Sequence, residues 1–416
     1  MSSRSSYSSD LRFFGSGSPE ALVREFGSPL YVYNENILRQ RCREMRDLCS
    51  VQGFTACYST KANGNPHLLR IVKEEGLLAD AMSPGEIAML KRAGFAKDEI
   101  CYVCNNVSEE ELRFAALNAS YVSVDSVSQI EAYGRVNPGG ELVVRLNPGI
   151  GAGHHAKVIT AGRNTKFGVV PEDVPAMRSA LEKYCLKLIG LNQHVGSLFM
   201  EAGPYLEAAT WLLETAKQFP DIRLIDFGGG FGIPYEKYED KPRLDLADAT
   251  RRFNSLLESW REETGFSGRF VIEPGRYIVA ECGLLLGTVY VTKNNGPTRY
   301  VGTDLGFNVL VRPAMYDSFH DLEIYPSDAS PRREMQQTVV GNICETGDIL
   351  AKDRLLPEVK EGDIIGVLDA GAYGHAMSSS YNQRFRSAEV LICADGSARL
   401  IRRRETADDL LSVIPE

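Results

Sequence analysis

A lysine stands directly after a run of residues that has the composition of a buried β-strand. Phe54–Thr60 is rich in apolar and β-branched residues, Lys61 follows it, and the next residues, Ala62-Asn63-Gly64, cannot continue a strand. A lone lysine at such a place is more often salt-bridged or snorkelling than nucleophilic. Other polar residues and glycines close further strand-like runs: Asp80 and Ser83, Arg145 and Asn147, His194 and Ser197, Asp226 and Gly228–Gly230, and Glu273 and Arg276. Their common position predicts one site that combines an amine, an imidazole, carboxylates and guanidinium groups.

Three consecutive glycines, Gly228–Gly230, follow the apolar run that contains Asp226. Glycines let the backbone approach a ligand closely and direct N–H groups at it, which is how proteins bind phosphate. Alone, the triplet is more typical of a tight turn. Ser197 and Arg276 at other strand ends favour the phosphate interpretation. The sequence has neither the Walker lysine motif nor the dinucleotide fingerprint that would indicate ATP or NAD.

These residue types together suit pyridoxal 5'-phosphate. Lys61 supplies an amine for a Schiff base, His194 can stack on the cofactor ring, and Glu273 can keep the ring nitrogen protonated. A protonated ring nitrogen makes the cofactor a strong electron sink, which favours a carbanion formed by loss of CO₂. The residues therefore predict a cofactor-dependent enzyme with decarboxylation chemistry.

The elements that carry these residues have the order of a (β/α)8, TIM-like barrel. Strand-like runs alternate with helical stretches such as residues 83–94, in which Ser83 is placed to cap, Pro84 lies in the first turn and Gly94 ends the helix. The eight predicted strands are Phe54–Thr60, Leu77–Ser83, Glu99–Asn105, Tyr121–Ser126, Glu141–Asn147, Leu188–Val195, Arg223–Phe227 and Arg269–Glu273. Eight repeats over about 230 residues match the roughly 250 residues of such barrels, whose active sites lie at the C-terminal ends of the strands. A doubly wound sheet is the alternative.

The remaining segments predict three further parts. Residues 1–18 are rich in serine and glycine and predict a flexible tail, residues 35–284 form the barrel, and residues 149–168 form a Gly-rich loop over its mouth. After Cys282, alternating runs separated by Gly, Asn and Pro predict a C-terminal all-β domain, like a sandwich or barrel, over residues 285–416. Residues 19–34, which contain the isolated strand-like stretch FGSPLYVYN, are predicted to join it.

Composition narrows the class of partner. The 416 residues carry 46 Lys and Arg against 55 Asp and Glu, a formal net charge of −9, with no basic block, so nucleic acid and anionic membranes are disfavoured as partners and small molecules favoured. No apolar run reaches the roughly 18 residues of a membrane span. Nine irregularly spaced cysteines fit a reducing cytoplasm. His154 and His155 have no third ligand at a fixed spacing, so we predict no metal.

Seven ordered motifs give the chain a resemblance to the barrel-type pyridoxal-phosphate decarboxylases of amino acids, and within them to the diaminopimelate decarboxylases. The motifs are YSTKAN, HVGS, DFGGGFG, EPGR, RPAMYD, CETGD and DAGAYGHAMSSSYN, and the match runs from FGSPLYVYN to AEVLI. The resemblance implies decarboxylation of meso-2,6-diaminopimelate to L-lysine and CO₂, the last step of lysine biosynthesis.

The resemblance also implies a role for individual residues. Lys61 would form the Schiff base, His194 would stack on the ring and Glu273 would pair with its nitrogen. The remaining cofactor-binding set is Asp80, Ser197, Gly229, Gly230, Gly275, Arg276 and Tyr373, with Ser197, Gly229, Gly230 and Tyr373 on the phosphate. The residues implied to bind substrate are Arg276, Arg312, Tyr316 and Tyr373, chiefly at its distal carboxylate, and Glu345 at its distal amine. Cys344 is the implied proton donor. In the family, Cys344 and Glu345 come from the partner subunit, which implies a homodimer with shared active sites.

Three alternatives to this function stay open. CETGD has Thr346 where serine is usual, Leu198 follows HVGS, and the 149–168 loop differs from its common form, so the substrate could be ornithine, lysine, arginine, a D-amino acid or an acylated precursor. An amino-acid racemase would carry arginine in the place of Glu273. An inactive binding homologue would commonly lack Lys61 or Cys344. His375 receives no role.

Overall fold

The computed structural model describes residues 6–149, 165–239 and 241–415, which fall into two compact units. The barrel unit comprises Arg39–Ile233 and Pro242–Ile278, and the β unit comprises Met1–Leu38, Pro234–Lys241 and Val279–Glu416. The described strands are β1 (Leu30–Asn34), β2 (Phe54–Ser59), β3 (Leu78–Ala81), β4 (Ile100–Val103), β5 (Tyr121–Val124), β6 (Glu141–Arg145), β7 (Lys187–Asn192), β8 (Leu224–Asp226), β9 (Arg269–Ile272), β10 (Gly283–Asn295), β11 (Thr298–Thr303), β12 (Leu322–Tyr325), β13 (Glu334–Val340), β14 (Ile349–Pro357), β15 (Ile364–Val367), β16 (Ala388–Ile392) and β17 (Ala398–Arg402). The described α-helices are α1 (Tyr7–Asp10), α2 (Pro19–Phe26), α3 (Glu35–Arg46), α4 (Pro66–Glu74), α5 (Pro84–Ala93), α6 (Glu109–Asn118), α7 (Val127–Val136), α8 (Val174–Lys183), α9 (Ala202–Ala216), α10 (Leu246–Thr264), α11 (Arg276–Val279), α12 (Arg312–Tyr316) and α13 (Ala407–Leu411).

Strands β2 to β9 form a closed parallel barrel, so the predicted barrel is confirmed and the doubly wound sheet is excluded. Closure is made by β9 on β2, with Phe270 opposite Phe54. All eight predicted strands are present, each within a few residues of its predicted bounds. Their inward side chains form a buried cluster made of Cys57, Cys101, Tyr121, Val143, Ile189, Leu224 and Val271. This packed interior holds the strand ends, and the residues on them, at fixed positions.

Helix α5 illustrates how local sequence sets the barrel's helices. Ser83 Oγ accepts a hydrogen bond from the Glu86 N–H at 3.2 Å, and Pro84 occupies the first turn. Glu86 Oε2 accepts from the Met82 N–H at 2.7 Å. Gly94 ends the helix in the left-handed region with φ 98°. The predicted cap, first turn and stop are all confirmed, because each depends only on neighbours in the chain.

The β unit contains a nine-stranded sheet. Its main path is β14-β13-β11-β10-β1-β16-β17, and β15 joins through β10 and carries β12. Strand β1 lies between β10, to which it is antiparallel, and β16, to which it is parallel. The prediction that the segment FGSPLYVYN joins the later all-β domain is therefore confirmed.

The described part of the predicted flexible tail, residues 6–18, is instead packed into the β unit. Phe13 and Phe14 are buried in its core, and Asn34 Nδ2 donates to the Phe13 carbonyl at 2.9 Å. The Ser8 N–H donates to Glu323 Oε1 at 3.0 Å, and Tyr238 donates to the same oxygen at 2.8 Å. Two buried aromatic rings and a buried carboxylate outweigh the serine and glycine content on which the prediction rested.

The unit boundaries also differ from the predicted 34/35 and 284/285, and residues 234–241 belong to the β unit.

Candidate active site

Lys61 follows the C-terminal end of β2 in a short 3₁₀ turn, Thr60–Ala62. The chain then turns into α4, because the Asn65 side chain caps the helix by accepting from the His67 N–H at 3.0 Å and Pro66 occupies its first turn. At the end of β9, a Cβ on Gly275 would lie 2.9 Å from Ser59 Cβ and 3.1 Å from Ala62 Cβ. Glycine therefore lets the end of β9 approach the turn that carries Lys61.

The charge of Lys61 reaches the other predicted residues of the barrel. Its ammonium group lowers the pKa values of Asp80 and Glu273 against the larger opposite effect of burial. It also adds to the lowering of the His194 pKa, whose main cause is burial. Lysine, imidazole and two carboxyl groups thus gather at one end of the barrel, as the sequence predicts.

Three buried acids lie at or near the C-terminal ends of the barrel strands. Ser59 Oγ donates to Asp80 Oδ2 at 2.6 Å, and the Gly228 N–H donates to Asp226 Oδ1 at 2.9 Å. Burial raises the pKa values of Asp80 and Asp226 to about 7, and raises that of Glu273 well above its ordinary value. Among the described residues, no donor reaches Asp226 Oδ2 or Glu273 Oε1, and the two carboxyl groups are close enough to share a proton. The pair therefore holds a proton near neutral pH.

His194 is held in one tautomer. Its Nδ1 accepts a hydrogen bond from the Gly229 N–H at 3.1 Å, so the neutral ring carries its proton on Nε2. Burial, then the charges of Lys61 and Arg145, lower its pKa well below the ordinary value. The Gly229 N–H, predicted to bind phosphate, here orients this imidazole. A neutral, fixed ring is suited to stacking on an aromatic cofactor.

The glycine triplet passes tightly between neighbouring strand ends. A Cβ on Gly229 would collide with the Glu273 carbonyl oxygen, and Gly230 has φ 110° with no room for a side chain beside the Gly196 carbonyl. Glycine is required at both positions.

Ser197 and Arg276, both predicted to bind anionic groups, are in direct contact. Arg276 Nη2 and Nε lie 2.9 Å and 3.3 Å from Ser197 Oγ. Both side chains come from C-terminal strand ends, after β7 and β9, and Arg276 is buried. A hydroxyl beside a buried guanidinium is a typical phosphate or carboxylate site.

Arg145, at the end of β6, belongs to the site, although no role was predicted for it. Its Nη2 donates to the His194 carbonyl at 3.4 Å, and its Cζ lies 4.7 Å from the centre of the Phe167 ring. Its charge lowers the pKa of Glu273 against the effect of burial. The position of Arg145 at a strand end was the sequence feature from which its place in the site could have been predicted.

The residues present fit pyridoxal phosphate. Glu273 Oε1 is buried with no donor besides the proton that Glu273 can share with Asp226, and a protonated ring nitrogen would be a further donor to it. Lys61 provides the amine, and Ser197 with Arg276 provides donors for a phosphate. The donor set therefore matches the ring nitrogen, aldehyde and phosphate of the cofactor.

The other predicted residues lie in the β unit. Arg312, on α12, is buried, and Tyr316 and Tyr373 are half-buried. Cys344 and Glu345 are exposed. His375 is buried and packs edge-on against Tyr31, as a core residue would.

Two residues missed by the sequence analysis hold the CETGD motif. Asn382 Oδ1 accepts from the Cys344 N–H at 3.1 Å, and its Nδ2 lies 3.2 Å from Cys344 Sγ. Tyr381 Oη donates to Glu345 Oε1 at 2.7 Å. Both belong to the DAGAYGHAMSSSYN motif, so the two motifs form one surface.

Some predictions fall outside the described residues. His154, His155 and most of the predicted 149–168 loop lie between residues 150 and 164. In the described part of the chain, no group of three His, Cys, Asp or Glu side chains could hold a metal ion. None of the described helices is both long and apolar enough to cross a membrane.

Solved structures of related proteins share this fold. Residues 35–280 match the family described as pyridoxal-dependent decarboxylase, pyridoxal binding domain, and with the barrel and its lysine, imidazole and carboxylate they define a pyridoxal-dependent decarboxylase. The chain is 39% identical over 401 residues to diaminopimelate decarboxylase of Methanothermobacter thermautotrophicus (94% of this chain, 92% of that one) and 33% identical over 406 residues to that of Escherichia coli K12 (94% and 95%). The crystal structure of diaminopimelate decarboxylase from Helicobacter pylori complexed with L-lysine is similar with a TM-score of 0.86, at 30% identity over 95% of this chain and 99% of that chain. The chain belongs to the diaminopimelate decarboxylase family.

The buried acids predict a pH-dependent stability of the cofactor-free protein. An aspartate in an unfolded chain ionises near pH 4, whereas Asp80 and Asp226 in the folded protein have pKa values of about 7. Between these values the unfolded chain releases protons that the folded protein keeps, so the free energy of unfolding should fall as pH rises from about 4 to about 7. Asp226→Asn should reduce the fall between pH 5 and pH 8 by on the order of 2 kcal/mol, measured by urea unfolding.

The matched control for this prediction is Asp221→Asn, an exposed residue shortly before β8. It should leave the fall in the unfolding free energy unchanged. An equal fall in the wild-type protein and Asp226→Asn would show that Asp226 does not hold the proton.

Proposed function

We propose that the protein decarboxylates meso-2,6-diaminopimelate at its D centre and releases L-lysine and CO₂. The observation that carries this proposal is the gathering of Lys61, His194 and the buried Glu273 at the C-terminal end of the barrel. Bound pyridoxal phosphate supplies an electron sink for the electron pair that remains when CO₂ departs. The rest of the chemistry belongs to the protein's own residues.

The barrel residues would bind and orient the cofactor. Lys61 would hold it covalently, His194 would cover one face of its ring, and Glu273 would accept a hydrogen bond from its ring nitrogen. The buried environment of Glu273 strengthens that bond. The phosphate would be held by Ser197, Gly230, Arg276 and Tyr373, and the Gly229 N–H would act through His194.

The substrate's distal amino-acid centre would be bound by groups of opposite charge. Arg276, Arg312 and Tyr316 would bind its carboxylate, and Glu345 its ammonium group. Arginine binds carboxylate in a bidentate manner, and a buried arginine left without its anion costs on the order of 3 kcal/mol. Amino acids without a distal carboxylate should therefore be poor substrates.

A panel of amino acids tests the substrate. We expect release of labelled CO₂ from meso-diaminopimelate at least ~100-fold faster than from ornithine, lysine or arginine at equal concentration, because only diaminopimelate presents a distal carboxylate to the arginines. Faster release from any of the other three would assign the protein to a sister decarboxylase. Retention of the label with loss of optical purity would indicate a racemase.

Exposure of Cys344 and Glu345 supports a homodimer with shared active sites. A proton donor must reach the substrate carbon, yet both side chains are on the surface of the chain. Asn382 and Tyr381 hold them in a defined arrangement. We infer that they complete the active site of a partner subunit.

The nine cysteines are thiols in the described structure, which supports a cytoplasmic location.

A further inference from the structure

We propose that His320 is a positioning residue that orients the Arg312 guanidinium, and thereby sets the affinity for ligands that carry the distal carboxylate. This inference rests on the proposed function, in which Arg312 binds that carboxylate. His320 lies outside every motif that identifies the family in this chain. It reaches Arg312 because Arg312 begins the short helix α12 and His320 lies only eight residues further along the chain.

One hydrogen-bond chain joins the backbone to the guanidinium. Arg312 Nε donates to His320 Nε2 at 3.2 Å, and His320 Nδ1 lies 2.8 Å from the Leu368 carbonyl oxygen. A carbonyl can only accept, so Nδ1 carries the proton and Nε2 is the acceptor that Arg312 needs. A single neutral tautomer satisfies both bonds.

Packing also restricts the side chains of Arg312 and His320. The centre of the Tyr235 ring lies 5.1 Å from Arg312 Cζ. The His320 ring packs edge-on against the same Tyr235 ring, with 5.1 Å between the ring centres. Arg312 Nη2 also contacts Ser318 Oγ at 3.4 Å. Both Arg312 and His320 are at least 97% buried. The side chains therefore have little freedom to reorient.

The neutral imidazole has a specific consequence for anion binding. It accepts from Nε without cancelling the positive charge of Arg312, which a carboxylate in its place would do. A bond to Nε also sets the rotation of the guanidinium plane, and this rotation determines where the other N–H donors point. His320 should thus contribute to carboxylate affinity through geometry.

Steady-state kinetics and product inhibition test the proposal in the holoenzyme. For His320→Ala we expect KM for diaminopimelate and the inhibition constant of L-lysine to rise about 10-fold, with kcat changed less than about 2-fold. Cadaverine has the same carbon chain without the carboxylate, and its inhibition constant should change less than about 2-fold. His320→Gln, whose side-chain oxygen can accept from Arg312 Nε, should restore most of the lysine affinity.

Two controls separate positioning from damage to the fold and from failure of the proposed function. Cofactor absorbance per subunit should be equal in all variants, and Arg312→Ala should weaken lysine at least as much as His320→Ala. Unchanged lysine affinity in His320→Ala, or an equal loss for lysine and cadaverine, would overturn the role of His320. A wild-type protein that does not turn over diaminopimelate would instead overturn the proposed function.

Discussion

Lys61→Ala should lose covalent cofactor attachment and reduce turnover at least ~10³-fold, because it removes the amine whose charge acts on His194 and Glu273. The variant also removes the cation whose charge lowers the pKa values of Asp80, Glu86 and Glu273. Reduction of the wild-type holoenzyme with borohydride, followed by peptide mass spectrometry, should leave the cofactor on the peptide that contains Lys61. The variant should carry none.

Lys187→Ala is the matched control for this prediction. Lys187 begins β7 and is exposed, so it lies at the opposite end of a barrel strand from the active site. It should retain wild-type turnover and cofactor content. Substantial turnover by Lys61→Ala, or attachment of the cofactor to another lysine, would contradict the assigned role of Lys61.

The barrel could be predicted because its signals are local. Alternation of short apolar runs with capped helices fixes the order of elements, and the closed barrel then brings the strand ends to one face. Lys61, His194 and Glu273 are far apart in sequence, yet each was identified by its place at a strand end. Ser197 and Arg276, which were also identified by their places at strand ends, are in direct contact.

The features that sequence reasoning missed depend on which side chains meet. Burial raises the pKa values of Asp226 and Glu273, and the neighbouring Asp226 raises that of Glu273 further, but neither residue reveals its partner from the sequence. The Gly229 N–H was assigned to phosphate because glycine loops commonly bind it, and the neighbouring His194 Nδ1 proved to be its acceptor. Such competition between acceptors is decided by tertiary geometry.

The N-terminal segment shows a different limit of prediction from sequence. Composition averages over residues, so the serines and glycines of residues 1–18 predicted a flexible tail. Two aromatic residues, Phe13 and Phe14, are buried in the core of the β unit, and Ser8 binds a carboxylate more than 300 positions away in the sequence. A few long-range contacts of this kind outweigh average composition.

Heterodimers of two inactive variants should recover activity if Cys344 acts in the partner's site. Cys344→Ala should keep its cofactor but slow turnover about 10² to 10³-fold, because it removes the proposed proton donor. In a heterodimer of Lys61→Ala with Cys344→Ala, one site combines the intact Lys61 of one subunit with the intact Cys344 of the other. Doubly tagged, purified heterodimers should therefore show about half of the wild-type activity.

The reciprocal heterodimer makes this test decisive. When one subunit carries both substitutions and the other is wild type, shared sites each contain one substitution, and activity should be nearly absent. If Cys344 acted within its own chain, the two outcomes would be exchanged, with half activity in the second heterodimer and almost none in the first. The exposure of Cys344, and its bonds to Asn382 on the surface of the β unit, favour the shared arrangement.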